Sequence, residues 1–523
     1  MLGVMIDCSR NAVMKPEKVK EFASIIRKMG YDTLMLYTED TYEVDNQPLF
    51  GYMRGRYTKE ELKEIDLYCK NIGIELVPCI QTLAHLSCMF KWKEYKSIND
   101  CDDILLIDEE KTYRLIEDMF SSLSQCFSSK KIHIGMDEAW NVGIGRYKTL
   151  HGDCDRFELI NKHLHRVCET AKKYGLQAML WSDMFCRLAS GSNGYYNGGG
   201  ISKILEKAAL PDNVSLIYWD YYSNDYQRYH DMIKLNQAFG REVIFAGGAW
   251  TWKGFAPDNT MSIENTEAAL NACRDCGVNN VFLTAWGDDG AECSCYSVLP
   301  TMMYAAEKIK GNDDMASIKE RFKEITGCDF DSFMLLDGLD TPGGKHEHNP
   351  SKYLLYNDLF CGLNDYRCNE ADDSYYRELA EKLRAVNVTG KFGYLFDMYT
   401  NLADVLAVKS SLGIRTRKVY LDGDKEALKG LAEDYSLMIE KLEKFHEVFE
   451  EYWLEENKPF GFEIQDIRIG GVLQRAKSCR GRLLKFINGE TESIPELEEK
   501  LIEENCGIHW SRMISAGCVT HYL

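Results

Sequence analysis

Eight short apolar runs, rich in β-forming residues and separated by helical patterns, restrict this chain more than any single motif in it. They occupy residues 2–10, 33–40, 74–82, 132–138, 177–183, 214–220, 243–250 and 281–288, and each ends in polar or aromatic residues. Continuous apolar runs of this length fit strands covered on both faces, as in parallel sheets. The intervening segments read as helices. Residues 16–29 place Val19, Phe22, Ala23, Ile26 and Met29 at helical spacing, with Pro16 in the first turn and Gly30 at the close. Thr58 and Glu61 form a capping-box pattern ahead of 59–71, and Gly73 follows. The device recurs over 157–173 with Gly175, and over 262–276 with Gly277. Strand and helix alternating eight times predict a (β/α)8 barrel, an α/β fold, over residues 1–310, with its last helix at 297–310. A doubly wound open sheet is the other arrangement, but no Gly-rich phosphate loop follows the first run.

Past residue 310 the character changes. Residues 337–351 are rich in turn formers, and long helical patterns follow over 373–385, 394–412, 424–453 and 465–487. A mostly α-helical C-terminal domain over 311–523 is expected. His346 and His348 read as a solvated loop rather than a metal pair. Cys273-x-x-Cys276 and Cys293-x-Cys295 lack a second pair at zinc spacing, so neither metal nor cofactor is expected.

The net charge of -20 argues against nucleic acid and anionic membrane as partners. It suits action on a neutral or cationic small molecule, and a homo-oligomer is compatible with it. No stretch is long and apolar enough to span a bilayer. The N-terminal apolar run is too short for a signal-peptide core and has no basic residue before it. The 19 scattered cysteines read as buried free thiols in a reducing compartment, so a cytoplasmic location is expected.

In a barrel of this kind the active site lies at the C-terminal ends of the strands. Those ends supply Arg10, Glu39, Asp40, His85, Asp137, Glu138, Trp181, Asp183, Tyr218, Asp220, Trp250, Trp252, Trp286 and Asp288. Of nine Trp, six (Trp140, Trp181, Trp219, Trp250, Trp252, Trp286) fall at or just past strands four to eight. A barrel interior favours branched aliphatics, so six on one rim are poorly explained as core. Aromatic walls with carboxylates between them suit a sugar. The fourth run ends on Asp137 and Glu138, and burying two adjacent carboxylates is costly. Neighbours in a strand face opposite sides, so both acids reach one cavity only if the strand ends or bulges there.

The stretch His133-Ile-Gly-Met-Asp-Glu138 resembles the signature of glycoside hydrolase family 20, the β-N-acetylhexosaminidases. Asp7-Cys-Ser-Arg10 resembles the family's first-strand segment, and Trp181, Tyr218-Trp-Asp220 and Trp286-Gly-Asp288 resemble further rim positions. The likeness covers roughly residues 1–310 and is nearest the shorter bacterial type, without a small α/β domain before the barrel and with a helical C-terminal domain. It implies an exo-acting retaining enzyme that releases terminal GlcNAc or GalNAc from a glycan or glycoconjugate. Glu138 would be the acid/base, with Asp137 and Tyr218 holding the substrate's 2-acetamido group. Arg10 and Asp220 would bind hydroxyls. Trp181, Trp286 and one of Trp250 or Trp252 would wall the acetamido pocket. His85 stands next to the pair, either tuning Glu138 or serving the structure. The family commonly has Trp-x-Glu on strand eight, where this chain has Asp288, which leaves the gluco or galacto preference open.

The residues support that chemistry independently. Most retaining glycosidases place a carboxylate nucleophile ~5–5.5 Å from the acid. Adjacent residues at a strand end cannot easily flank one glycosidic bond, so if Asp137 is not the nucleophile something else must attack C1, and a substrate 2-acetamido oxygen can do so, forming an oxazoline. Two other readings compete. One is an ordinary two-carboxylate glycosidase using Glu39, Asp183 or Asp220, and the other is a sugar-binding barrel without catalysis.

Overall fold

The eight apolar runs form eight strands: β1 Leu2–Asp7, β2 Thr33–Thr38, β3 Glu75–Ile80, β4 Lys131–His133, β5 Gln177–Trp181, β6 Val214–Trp219, β7 Val243–Gly248 and β8 Val281–Ala285. They pair in parallel in sequence order, and β8 closes on β1, which makes the expected (β/α)8 barrel. The computed structural model describes residues 1–191, 194–196, 210–344, 350–386, 388 and 390–502, and His346 and His348 lie outside them. No helix among the described residues is long and apolar enough to cross a membrane.

The helices start and stop where their caps dictate. Pro16–Met29 opens on proline and closes on a left-handed Gly30. Thr58 and Glu61 exchange both capping-box bonds ahead of Lys59–Ile72. The Asp155 carboxylate accepts from Phe157 and Glu158 N–H at the start of Arg156–Lys173.

The register fixes which side chains face the barrel axis. Partners on adjacent parallel strands share a face, and the face alternates along each strand. Asp7 pairs with Tyr37, Tyr37 with Cys79, Cys79 with His133 and His133 with Met179. Two residues on, Trp181 pairs with Ile217, and then Trp219 pairs with Ala246 and Ala246 with Phe282. Met5 pairs with Thr284 and closes the ring. Sulfur and aromatic contacts across the interior agree: Cys79 Sγ lies 3.7 Å from Met5 Sδ, and the Trp181 and Phe282 rings are 5.9 Å apart. Tyr218 carries the opposite parity. It faces outward with its β7 neighbour Phe245 at 5.6 Å, and Phe245 packs against Tyr229 of the helix Tyr226–Gln237.

Two units are distinguishable. The first comprises Met1–Trp250, Met261–Gly287 and Thr301–Ile318, and the second comprises Thr251–Thr260, Asp288–Pro300 and the chain from Lys319. The second is helical, with Glu370–Ala385, Gly393–Lys409, Leu412–Leu421, Lys425–Glu456 and Phe462–Ile487 as its main elements. The expected single helix at 394–412 is interrupted because Asp373 captures both the N–H and the hydroxyl of Ser411, and a new helix starts at Leu412. The excursion Thr251–Thr260 is tied into this unit by buried carboxylates. Asp337 accepts from Asn259 N–H (3.0 Å) and Thr260 N–H (2.9 Å), and Asp340 accepts from Ala256 N–H (2.9 Å). Glu292 is held between Lys352 (3.0 Å) and Arg468 (2.8 Å).

Candidate active site

The expected fourth strand at 132–138 stops after His133. Gly135, Met136 and Glu138 adopt left-handed backbone, at φ +69°, +74° and +50°. His133 Nδ1 accepts Gly135 N–H at 3.0 Å, and Gln81 Oε1 accepts Met136 N–H at 3.1 Å. This turn ends the alternation of side chains, so Asp137 and Glu138 reach the same space: His85 Nε2 lies 3.2 Å from Asp137 Oδ2 and 3.7 Å from Glu138 Oε2. Only glycine fits at 135, since a Cβ there would stand 2.0 Å from Gln81 Oε1 and 2.8 Å from the Ile80 carbonyl. Left-handed residues with a Cβ cost roughly 1–2 kcal/mol each. Met136, Glu138 and His85 (φ +57°) gather that strain at one place.

The two acids are pushed apart electrostatically. Burial would raise the Asp137 pKa, but the facing His85 and the Gln81 amide, 2.8 Å from Oδ1, outweigh it and hold the carboxyl below its ordinary range. His85 responds in kind. Burial opposes its charge, yet the Asp137 carboxylate pushes it up to about 10. Its backbone N–H is tied to Asp103 Oδ2 at 2.9 Å. Glu138 moves the other way, raised by burial and by Asp137 against the opposing pull of His85 and of the Tyr195 hydroxyl, which donates to Oε1 at 2.8 Å. Asp137 is therefore the more readily ionised member, and Glu138 holds its proton to higher pH than an ordinary carboxyl. Beneath them the buried Asp183 accepts Glu138 N–H at 3.1 Å and Trp219 Nε1–H at 3.4 Å. Burial and the Asp137 charge push its pKa up to about 8.

A second group of side chains lies inward of the pair. Tyr37 donates to Glu39 Oε1 (3.2 Å) and accepts from Gln81 Nε2 (3.0 Å), so one chain of hydrogen bonds joins Glu39 to Asp137. Burial pushes Glu39 up to about 7 despite Arg10, whose Nε is 3.7 Å from Oε1. The Arg10 guanidinium lies 4.8 Å over the Trp286 ring, which in turn meets Tyr37 at 4.8 Å and Trp181 at 6.0 Å. Trp181 is buried, and its indole N–H has no hydrogen-bond partner among the described residues. Tyr221 stacks on Trp219 at 5.2 Å, and its hydroxyl lies beside the Trp286 and Thr284 side chains, within reach of the Asp137 charge. Aromatic faces, a buried unpaired indole N–H and neighbouring carboxyl groups are thus gathered at the C-terminal ends of the strands.

The model of the family 20 glycosyl hydrolase catalytic domain matches residues 3–246, and that of the glycoside hydrolase 20C C-terminal domain matches residues 331–506. The chain belongs to glycoside hydrolase family 20. It is similar to a probable beta-hexosaminidase of Arthroderma benhamiae, 22% identical over 251 residues that make up 42% of this chain and 38% of that protein. It is also similar to hexosaminidase D of Homo sapiens, 21% identical over 222 residues, 40% of this chain and 43% of that one. The chain thus spans about two fifths of the length of these curated relatives. Among solved structures, the β-N-acetylhexosaminidase of Bacteroides fragilis is 18% identical, covering 62% of this chain and 69% of its own, with a TM-score of 0.48.

The family 20 barrel brings together Arg10, His85, Asp137, Glu138, Trp181 and Trp286 of the residues singled out in the sequence. Tyr218 and Asp220 need correction. The Tyr218 hydroxyl, on the outward face, donates to Asp220 Oδ2 at 3.1 Å, and Arg228 Nε donates to the same oxygen at 2.7 Å. Asp220 Oδ1 accepts Tyr222 N–H, so both carboxylate oxygens are engaged away from the barrel axis. Trp250 is buried behind Tyr221, donating its indole N–H to the Tyr221 carbonyl at 2.9 Å. Trp252 and Asp288 fall in the second unit, Trp252 buried and Asp288 half-buried at the start of the turn Asp288–Gly290. Tyr37, Gln81, Tyr195 and Tyr221 were not singled out from the sequence. The period-two rule would have found Tyr37, which shares a face with Asp7. Among the described residues no group of three or more His, Cys, Asp or Glu side chains is arranged to hold a metal ion.

Proposed function

We propose that the protein is an exo-acting, retaining β-N-acetylhexosaminidase that removes terminal GlcNAc or GalNAc by substrate-assisted catalysis. The observation that carries this reading is the Asp137–Glu138 pair, brought to one place by the turn after β4, sharing His85 and shifted in opposite directions, Asp137 down and Glu138 up. An ordinary nucleophile is poorly supported: Asp220 is bonded outward, and Asp183 keeps its proton near neutral pH. Family 20 is a known exception to the two-carboxylate rule. The names of the curated relatives agree with the reading.

The 2-acetamido oxygen attacks C1 as the bond from C1 to the leaving oxygen breaks, and Glu138 gives that oxygen its proton. Asp137 accepts the amide N–H and offsets the positive charge of the oxazolinium. Glu138, now a carboxylate, takes a proton from water, whose oxygen attacks C1 and reopens the ring. Two inversions return the β anomer. The Tyr221 hydroxyl, rather than that of Tyr218, is the one suited to the amide carbonyl, because it points to Trp286 and Thr284 within reach of the Asp137 charge. Arg10 and Glu39 suit the sugar hydroxyls. The mostly buried free cysteines support a reducing compartment, the cytoplasm.

The test compares 4-nitrophenyl β-glycosides of GlcNAc, GalNAc and glucose and follows the first-formed anomer by NMR. Cleavage confined to the two acetamido sugars with release of the β anomer is expected. Cleavage of the glucoside, or covalent trapping of a 2-fluoro sugar on a carboxylate, would establish the two-carboxylate mechanism instead.

A further inference from the structure

Past Glu138 the aromatic lining continues outward. Trp219, on the inward face of β6, is 7% exposed, and Tyr195 meets it edge-on at 4.9 Å. Trp140 meets Tyr195 at 5.5 Å and is 41% exposed. Tyr222, 56% exposed, packs on Trp250 at 5.3 Å and lies near the Tyr195 hydroxyl. A lone exposed aromatic is ordinary protein surface, whereas a file of them running from a buried pocket to open solvent marks a binding surface. Trp140 is also braced. The Arg187 guanidinium lies 4.6 Å over its ring, and its carbonyl accepts from Arg156 Nη2. A ring already held in place loses little freedom when a ligand settles on it.

The position of Glu138 says which part of the substrate would settle there. Its Oε2 faces His85, on the side of Asp137 and the inner pocket, while its Oε1 accepts from Tyr195. The acid's proton goes to the leaving oxygen, so the Tyr195 side adjoins the leaving group. On the hexosaminidase reading, we propose that Trp140, with Tyr195 and Tyr222, forms a subsite for the leaving group and that it takes a second pyranose ring. The C–H face of that ring stacks on Trp140. The local guanidiniums are turned to an aromatic face and to backbone carbonyls, and the chain as a whole is strongly acidic, which favours a neutral sugar over an anionic one. A hydroxyamino-acid leaving group has no ring to stack.

Stacking on an exposed aromatic corresponds to about tenfold in binding. The test measures kcat/KM for N,N′-diacetylchitobiose and for ethyl β-GlcNAc, whose leaving group is ringless, in the wild type, Trp140→Ala and Trp140→Phe. The ratio of the two values is expected to fall about tenfold in Trp140→Ala and to return to within about threefold of wild type in Trp140→Phe. Because kcat/KM reports the first irreversible step, the leaving group is still bound in what is measured. An equal loss on both substrates, or an unchanged ratio in an active enzyme, refutes the subsite alone. A wild-type enzyme that cleaves neither compound refutes the hexosaminidase reading and the subsite with it.

Discussion

Removing one hydroxyl, by Tyr195→Phe, should move the alkaline limb of the activity profile upward. The ring stays, and with it the contacts to Trp140 and Trp219, but the 2.8 Å bond to Glu138 Oε1 is lost. That bond favours the charged carboxylate, so its loss raises the Glu138 pKa further above the ordinary value. A hydrogen bond to a charged group contributes about 1.5–3 kcal/mol. The Glu138 side chain is 33% exposed, and water replaces part of what is lost. The lower end, ~1.5 kcal/mol, corresponds to about one pH unit. Glu138 must be protonated to act as an acid, so activity falls as pH rises through its pKa, and a higher pKa keeps the enzyme active to higher pH. The assay is kcat/KM against pH with a poor leaving group such as the chitobiose disaccharide, for which protonation is needed most. An alkaline limb that stays in place, or moves down, would refute both the role of Glu138 and the sign of the Tyr195 contact.

Three further outcomes follow from the same geometry. Gly135→Ala puts a Cβ into the Gln81 amide at a left-handed position; backbone strain and the lost bonds to Met136 and Asp137 together should cost roughly 3 kcal/mol or more, read as a lower apparent Tm with reduced kcat, and a variant as stable and active as wild type would contradict the tight turn. Asp137→Asn keeps the shape and removes the charge, so kcat should fall by about 10²–10³ with an unchanged circular dichroism spectrum, and a loss under tenfold would reject Asp137 as the group offsetting the oxazolinium. Tyr221→Phe should reduce kcat/KM on 2-acetamido substrates by roughly tenfold or more while Tyr218→Phe changes it little, and the reverse order would restore Tyr218 to the pocket.

The barrel was legible because eight repeats of one pattern are hard to arrange otherwise, and its helix ends were marked by their caps. The site was legible where charge or a kink declared it. Asp137 and Glu138 have opposite parity, so a common role required the strand to break, and it breaks at Gly135. The same parity argument applied to β6 places Tyr218 outward, and the Tyr-x-Asp pattern obscured this because both of its polar groups face each other and Arg228. Arg228 sits on the following helix, and nothing in the spacing announces which carboxylate it will reach. Gln81 and Tyr37 carry no charge, so their part in holding Asp137 emerges only once β2, β3 and the β4 turn are side by side. Tyr195 and Tyr221 lie beyond the ends of their strands, where neither period applies.

The excursion after β7 has a practical corollary for dissecting the enzyme. Ala256, Asn259 and Thr260 direct their backbone N–H groups into the Asp337 and Asp340 carboxylates, and Gly254 lies so close to Asp340 that even a Cβ would stand 2.1 Å from its Oδ2. A fragment ending at residue 310 would keep those donors and discard their acceptors. Each orphaned group costs about 1–3 kcal/mol if it stays buried, so the segment would swing out to find water. The helical portion is therefore no detachable accessory: part of what the barrel sequence encodes folds only when a later stretch of the same chain arrives to receive it.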